Sequence, residues 1–302
     1  MLASCGGGGG GGGSAGGTSD NSQNNADGSI SEVFSGLVSP QMMTAYSGVL
    51  YVADRVSPTS GVTGTIRVIY PDKQATNKTL GTVDSPVSPS FRKASLFTTG
   101  TNPISYTGVL LVDQSVGTLT NYIQVSDPAG LVFDERDVGY VSDPSSGGVF
   151  YFVDNSNKTR ISVGESPSGL AYHDGYVYVT RWAATANDDA LYRFQAGAGA
   201  SASSFAKSTL FKQPNPIAVR QTPQVEFYVA NTGGTVNDRN ILKVSADGGT
   251  VQIFLNAANP SHKVCSPTGL AIDGSTLYFA NSTCAGSVNA AYAGKVMRVT
   301  LP

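Results

Sequence analysis

Charge is scarce in this chain. Asp, Glu, Lys and Arg make up only 13% of its 302 residues, and the formal net charge is −2. With no basic stripe to displace counterions from phosphates, nucleic-acid binding is not expected. No apolar run approaches the roughly 18 residues that a membrane-spanning helix needs. The two histidines, His173 and His262, lie far apart with no Cys or carboxylate at ligand spacing, so no zinc centre is expected. The serines after residue 30 include no Gly-x-Ser-x-Gly elbow, no Cys-x-x-Cys-His occurs, and no pair of glutamates stands out for glycoside hydrolysis. Gly, Ser, Thr, Asn and Tyr are abundant instead, a composition suited to an all-β protein outside the cytosol.

Against that background one short stretch recurs. Tyr51-Val52-Ala53-Asp54 returns as Leu111-Val112-Asp113-Gln114, Tyr140-Val141-Ser142-Asp143, Tyr178-Val179-Thr180-Arg181, Tyr228-Val229-Ala230-Asn231 and Tyr278-Phe279-Ala280-Asn281. The copies define four columns: a large apolar residue, a β-branched or aromatic one, a mostly small one, then a polar one. Such alternation describes a strand with one buried face, and a recurrence about every 45 residues is the period of a propeller blade. Around it each unit repeats one order. Pro167 to Tyr172 reads as a first strand, Gly175 to Arg181 as a second and Ala190 to Phe194 as a third, with Asp174-Gly175 and Asp273-Gly274 as tight hairpin turns. The third strand is marked by a long polar residue between apolar ones, as in Ile66-Arg67-Val68, Ile123-Gln124-Val125 and Met297-Arg298-Val299, which suits a half-exposed face.

Outer strands are expected at Ala94 to Phe97, Ile161 to Val163, Ser208 to Phe211 and Val251 to Leu255, each ahead of a proline. Ile30 to Phe34 looks like another, but it has no unit in front of it. Lys295 to Leu301 is an inner strand without an outer neighbour. Pairing the two would remove two open edges and tie down both termini. The expectation is therefore an all-β, six-bladed β-propeller over residues 30–302, closed by pairing of the N-terminal strand with the C-terminal blade. Unit two is short between Leu111 and Tyr140 and reads as three-stranded, while Pro71 to Arg92 reads as a long exposed loop.

Residues 1–29 form a separate segment. Leu2-Ala3-Ser4-Cys5 resembles the lipobox of bacterial lipoproteins, which implies lipidation at Cys5 and an anchored protein at the cell envelope or extracellular surface. Only Met1 precedes it, so a signal peptide would belong to a longer precursor. From Gly6 to about Gly28 there is little to bury. That stretch is expected to be a flexible tether of about 25 Å root-mean-square span. Alternatively, the glycine run (Gly6 to Gly13) forms extended threefold helices that bundle into a fibre.

The repeats themselves resemble NHL-type repeats, whose blades run Pro-x-Gly-Leu-Ala-x-Asp and then Leu-Tyr-Val-Ala-Asp or -Asn. Pro267-Thr268-Gly269-Leu270-Ala271-Ile272-Asp273 with Leu277 to Asn281 is the nearest copy, followed by Ser166 to Tyr172 and Pro128 to Asp134. The resemblance implies a six-bladed propeller. It leaves function open, because such proteins include binding scaffolds, a copper-dependent lyase and relatives of metal-dependent lactonases. Those lactonases would supply an early Glu as a metal ligand, and Glu32 is a poor match on its expected outer strand.

Loops from second to third strand and from outer to next first strand share one face of a propeller. On that face the fourth column projects: Asp54, Gln114, Asp143, Arg181, Asn231 and Asn281. Two readings stand. These residues cap strand ends through side-chain-to-backbone hydrogen bonds, or they rim a channel mouth whose carboxylates and amides suit a hard cation such as Ca²⁺. Arg181-Trp182 breaks the pattern with the chain's single Trp, which suits an anionic or carbohydrate-like ligand.

The functional expectation is a lipid-anchored, extracytoplasmic binding or interaction module for a protein or carbohydrate-like ligand, meeting the membrane through its lipid alone. The alternatives are a metal-dependent hydrolase or lactonase using the central channel, and a fibre subunit self-assembling through its glycine tail. The last unit also permits a register argument. If its hairpin centres on Gly274 with Asp273 facing Thr276, stepping one residue along each strand brings Cys265 opposite Cys284, within disulfide range.

Overall fold

The computed structural model describes residues 29–55, 63–73, 77–102, 106–183 and 189–302; Cys5 and the glycine run lie outside them. Among the described residues the structure is built of strands, with three short 3-10 turns at Val236–Asp238, Pro260–His262 and Ala290–Tyr292. After β1 (Ser31–Ser35) come β2 (Ser39–Tyr46), β3 (Val49–Arg55), β4 (Thr63–Ile69) and β5 (Lys78–Asp84). Next are β6 (Pro89–Arg92), β7 (Ser95–Asn102), β8 (Tyr106–Val112) and β9 (Leu119–Gln124). A further sheet holds β10 (Leu131–Phe133), β11 (Gly139–Asp143), β12 (Gly148–Phe152) and β13 (Lys158–Ser162). It is followed by β14 (Pro167–His173), β15 (Tyr176–Arg181), β16 (Ala190–Gln195) and β17 (Ser203–Lys207). Then come β18 (Pro214–Arg220), β19 (Glu226–Asn231), β20 (Ile241–Ser245) and β21 (Val251–Leu255), and finally β22 (Pro267–Asp273), β23 (Thr276–Asn281) and β24 (Lys295–Thr300). Pairing is antiparallel throughout, in meanders.

The last sheet borrows its fourth strand from the start of the chain. β1 pairs with β24, Ser31 facing Arg298 and Ser35 facing Lys295, as expected from the two unpartnered edges. Glu32 spends its carboxylate here on Lys295, at 2.8 Å. Strands β2 to β9 form one eight-stranded sheet, but its β2–β5 and β6–β9 halves are joined only at Asp84 and Thr101. Apolar residues pack between neighbouring sheets rather than within one. Tyr228, Phe254 and Leu255 meet Leu277, Phe279 and Met297 in one cluster, and Tyr278, Ala280 and Val296 meet Met43, Val52 and Ile69 in another. The latter joins the end of the chain to its beginning. The first strands β2, β6, β10, β14, β18 and β22 surround a single cavity of about 560 Å³.

Close approach around that cavity explains the Pro-x-Gly motif. A Cβ on Gly169 would lie 1.8 Å from the Asn215 carbonyl oxygen, and one on Gly130 2.3 Å from that of Ser168. In three sheets a hydroxyl of the third column completes the joint. Gly169 N–H donates to Thr180 Oγ1 at 2.8 Å, and that hydroxyl donates to the Asn215 carbonyl of the next sheet at 2.7 Å. Ser142 relays Gly130 N–H to Ser168 O in the same way, and Thr99 relays Ser88 N–H to Ala129 O. Where Pro216 offers no N–H, the column holds Ala230.

The expected three-stranded second unit is overturned. Residues 71–92 are not one exposed loop: they contain β5 and β6, and Ala94 to Phe97 enters β7 rather than forming an outer strand. Pro86-Val87-Ser88-Pro89 stands where other sheets have Pro-x-Gly-Leu, and Phe97 to Gly100 occupies the column positions assigned to Leu111 to Gln114. Phe97 restores a spacing of about 45 residues on both sides. Ile123-Gln124 consequently belongs to the outer strand β9, not a third strand. In the β14–β17 sheet the outer strand is Ser203–Lys207, just before the expected Ser208 to Phe211.

Candidate functional site

The four-column strands end on the face where second strands run into third strands, and there most fourth-column side chains turn inward. Asp54 is 2% exposed; its Oδ1 accepts the N–H groups of Val38 and Ser39, both at 2.9 Å, and its Oδ2 takes Arg67 Nε at 3.4 Å. Fully buried Asn231 accepts Lys212 N–H and donates to the carbonyls of Leu210 and Asp238. Asn281 accepts Cys265 N–H at 3.2 Å and donates to Lys263 O at 2.8 Å. Asp143, also buried, accepts Ser146 N–H in the turn after β11. Asp54, Asn231 and Asn281 clamp the connection arriving from the preceding sheet, and Asp143 a turn of its own, through backbone groups that would otherwise be unsatisfied. A cation here would have to displace those bonds. Among the described residues no three His, Cys, Asp or Glu side chains come together as a metal-holding group.

Gln114 does not join the others. It follows β8, a third strand running the opposite way, so it emerges on the hairpin face and donates to Ala94 O at 2.7 Å. In its sheet the equivalent position is Gly100, which has no side chain to project.

Arg181 departs from the clamp as well. Its guanidinium stacks over the Tyr192 ring at 4.4 Å and lies against Gly164. Asp189, 7% exposed, accepts Ala183 N–H at 2.8 Å and Gln213 N–H at 2.6 Å. With Trp182 N–H bound to Ser166 O at 3.2 Å, the backbone on both sides of Trp182 is fixed. Its indole, 44% exposed, stands between two depressions. One, of about 430 Å³, is bounded by Pro144 to Gly147, Arg160, Ser162 and Glu165. The other, of about 280 Å³, is bounded by Ser168, Gln213, Pro214, Asn215 and Thr232. Pro144, Ser166 and Trp182 belong to both. Sequence reasoning found Trp182 through its uniqueness but missed these polar neighbours, which come from three different sheets.

The disulfide expected in the last sheet is present. Cys265 and Cys284 are bonded with their Cα atoms 5.3 Å apart, although a bulge between Pro267 and Gly269 shifts the register by one residue on the way. On the opposite face, Glu226 meets Lys243 at 2.6 Å, the Tyr228 phenol at 2.7 Å and Arg220 at 3.3 Å. Burial would raise its carboxyl, but these partners outweigh burial and hold it below the usual carboxylate range.

No protein-family model matches the chain, and no curated protein sequence does. Solved structures do. The PQQ-bound form of an aldose sugar dehydrogenase from Streptomyces coelicolor aligns with TM-score 0.67 and 15% identity, covering 91% of this chain and 98% of that one. The fold is a β-propeller. A gluconolactonase from Xanthomonas campestris aligns with TM-score 0.65, 12% identity and 92% and 91% coverage. An auxiliary nutrient binding protein from Bacteroides ovatus aligns with TM-score 0.63 and 10% identity, over 90% of this chain and 76% of that one. At these identities the likeness concerns the fold, and the propeller's chemistry rests on its own residues.

Proposed function

We propose that this propeller has six blades closed by the β1–β24 pairing, and that it is a binding module whose ligand sits on the loop face at Trp182. The six first strands around one cavity and the apolar cluster between the last sheet and the first support the blade count. The observation that carries the function is local: where Asp54, Asp143, Asn231 and Asn281 clamp loop backbone, Arg181 leans on Tyr192, and Trp182 follows it, exposed on a fixed backbone at the border of two depressions. Rigid aromatic surface flanked by polar groups is what a small-molecule or protein ligand uses. The NHL resemblance, the exported setting that a disulfide needs and lipid attachment at Cys5 belong to the same reading.

A second reading is favoured by the fold of the gluconolactonase: metal-dependent hydrolysis at the channel. One experiment separates the two. Calorimetric titration with Ca²⁺ is combined with an assay of gluconolactone hydrolysis, with and without chelator, on the native protein and Trp182→Ala. Chelator-sensitive turnover that Trp182→Ala leaves intact would replace the binding module by a hydrolase. No chelator-sensitive turnover, by either the native protein or Trp182→Ala, is the expected result.

A further inference from the structure

Two depressions on either side of one indole place a size and polarity limit on what binds there. The larger holds one cation and one carboxylate, Arg160 and Glu165, with the hydroxyls of Ser145, Ser146 and Ser162. The smaller has no ionisable side chain and offers Ser168, Gln213, Asn215 and Thr232. The side chains lining the two depressions carry one charge of each sign and none, respectively, so the lining itself selects neither an anion nor a cation. Hydroxyls and amides can both donate and accept, which matches a ligand rich in hydroxyl groups. Pyranose rings have that edge chemistry, and their C–H faces are polarised so as to lie against the electron-rich face of an indole. Pro144 and Pro214 add apolar contact beside it.

We infer that the loop face takes a neutral oligosaccharide of at least two rings, one in each depression, with Trp182 between them. The inference rests on the loop-face binding reading and adds ligand class and length to it. Backbone rigidity favours it too: Trp182 N–H on Ser166 and Ala183 N–H on Asp189 fix the main chain that carries the indole, so less backbone ordering is needed on binding.

Trp182 is the chain's single Trp, so its emission reports this site without labelling. The full chain is titrated with maltose, cellobiose, lactose and diacetylchitobiose, and each disaccharide is compared with its constituent monosaccharides. At least one disaccharide should shift the emission saturably and bind at least about tenfold more tightly than its monosaccharides, since the second ring adds its own contacts. Ser162→Phe fills the larger depression from an exposed position and should lower the disaccharide's affinity to that of the monosaccharide. Equal affinity for one ring and two, indifference to Ser162→Phe, or no response to any saccharide overturns the inference. In those cases a peptide that shifts the emission would still leave the loop-face reading standing. That reading fails separately if a saccharide binds Trp182→Ala, by calorimetry, as tightly as it binds the native chain.

Discussion

The loop-face ends of β15 and β19 start from the same column and put it to opposite uses. At the end of β19, Asn231 is fully buried and holds three backbone groups, so the entrance to its sheet is closed by its own side chain. At the end of β15 the column holds Arg181, which leans on Tyr192, while Asp189, eight positions along, holds Ala183 N–H and, at Gln213, the same loop that Asn231 clamps. The residue after the strand donates its N–H to the loop ahead of the first strand in both sheets, Thr232 to Gln213 O and Trp182 to Ser166 O, but Trp182 carries a large, partly exposed ring. A repeat can thus keep its backbone joints while one copy changes the side chain it presents.

Breaking what both ends share should have the largest effect. Gly169→Ala would force a methyl group into the Asn215 carbonyl, and neither first strand can retreat without opening the neighbouring sheet. A loss of more than about 3 kcal/mol is expected, read as a lower urea midpoint at constant slope. Next comes the staple at the end of β22–β23. Cys265→Ser with Cys284→Ser releases a loop of sequence separation 19, which should lower stability by about 3 kcal/mol. The native chain should show no reactive thiol at these two positions when unfolded without reductant.

Asn231→Ala sharpens the contrast between the two ends. It strands Lys212 N–H and the carbonyls of Leu210 and Asp238, and a loss of about 2 kcal/mol is expected. Trp182→Ala removes a ring that is already 44% exposed and clamps no backbone, so its loss should be smaller, about 1 kcal/mol. Equal destabilisation by the two substitutions would mean that Trp182 is a structural plug.

Much of this was legible because repeats report on themselves. The strand column, the pairing of β1 with β24 and the Cys265–Cys284 bond all follow from local alternation and register, which sequence carries directly. The second unit hid because its motif is written in other letters. Pro86-Val87-Ser88-Pro89 replaces Pro-x-Gly-Leu, and Gly100 replaces the polar fourth residue, so the pattern matches better at Leu111 to Gln114, one strand too late. The hydroxyl relays of Thr99, Ser142 and Thr180 were beyond reach for a different reason. Each joins two sheets, and only the packing says which carbonyl a small column residue will meet. The walls of the two depressions share that difficulty, being assembled from loops far apart in the chain.

The finest distinction between the two kinds of entrance is one of pH. The loop that Asn281 clamps contains His262, which is 6% exposed, and its Nδ1 accepts Asn256 N–H at 2.8 Å. Burial lowers its pKa from the ordinary 6.5, since the charged ring would lose water, and a ring accepting at Nδ1 must carry no proton there. Below pH 6.5 the unfolded chain therefore takes up the proton more readily than the folded one. Stability contributed by the neutral ring is fully present above that value and is lost as pH falls from it toward the depressed folded value. The clamp at β15, through Asp189, contains no histidine. Acidification should accordingly loosen the β22–β24 entrance first, seen as faster amide exchange at Asn256 and its neighbours while Ala183 and Gln213 keep their protection. In His262→Gln that selective loosening should disappear. If the two entrances lose protection together in the native chain, His262 does not set the acid sensitivity of its loop.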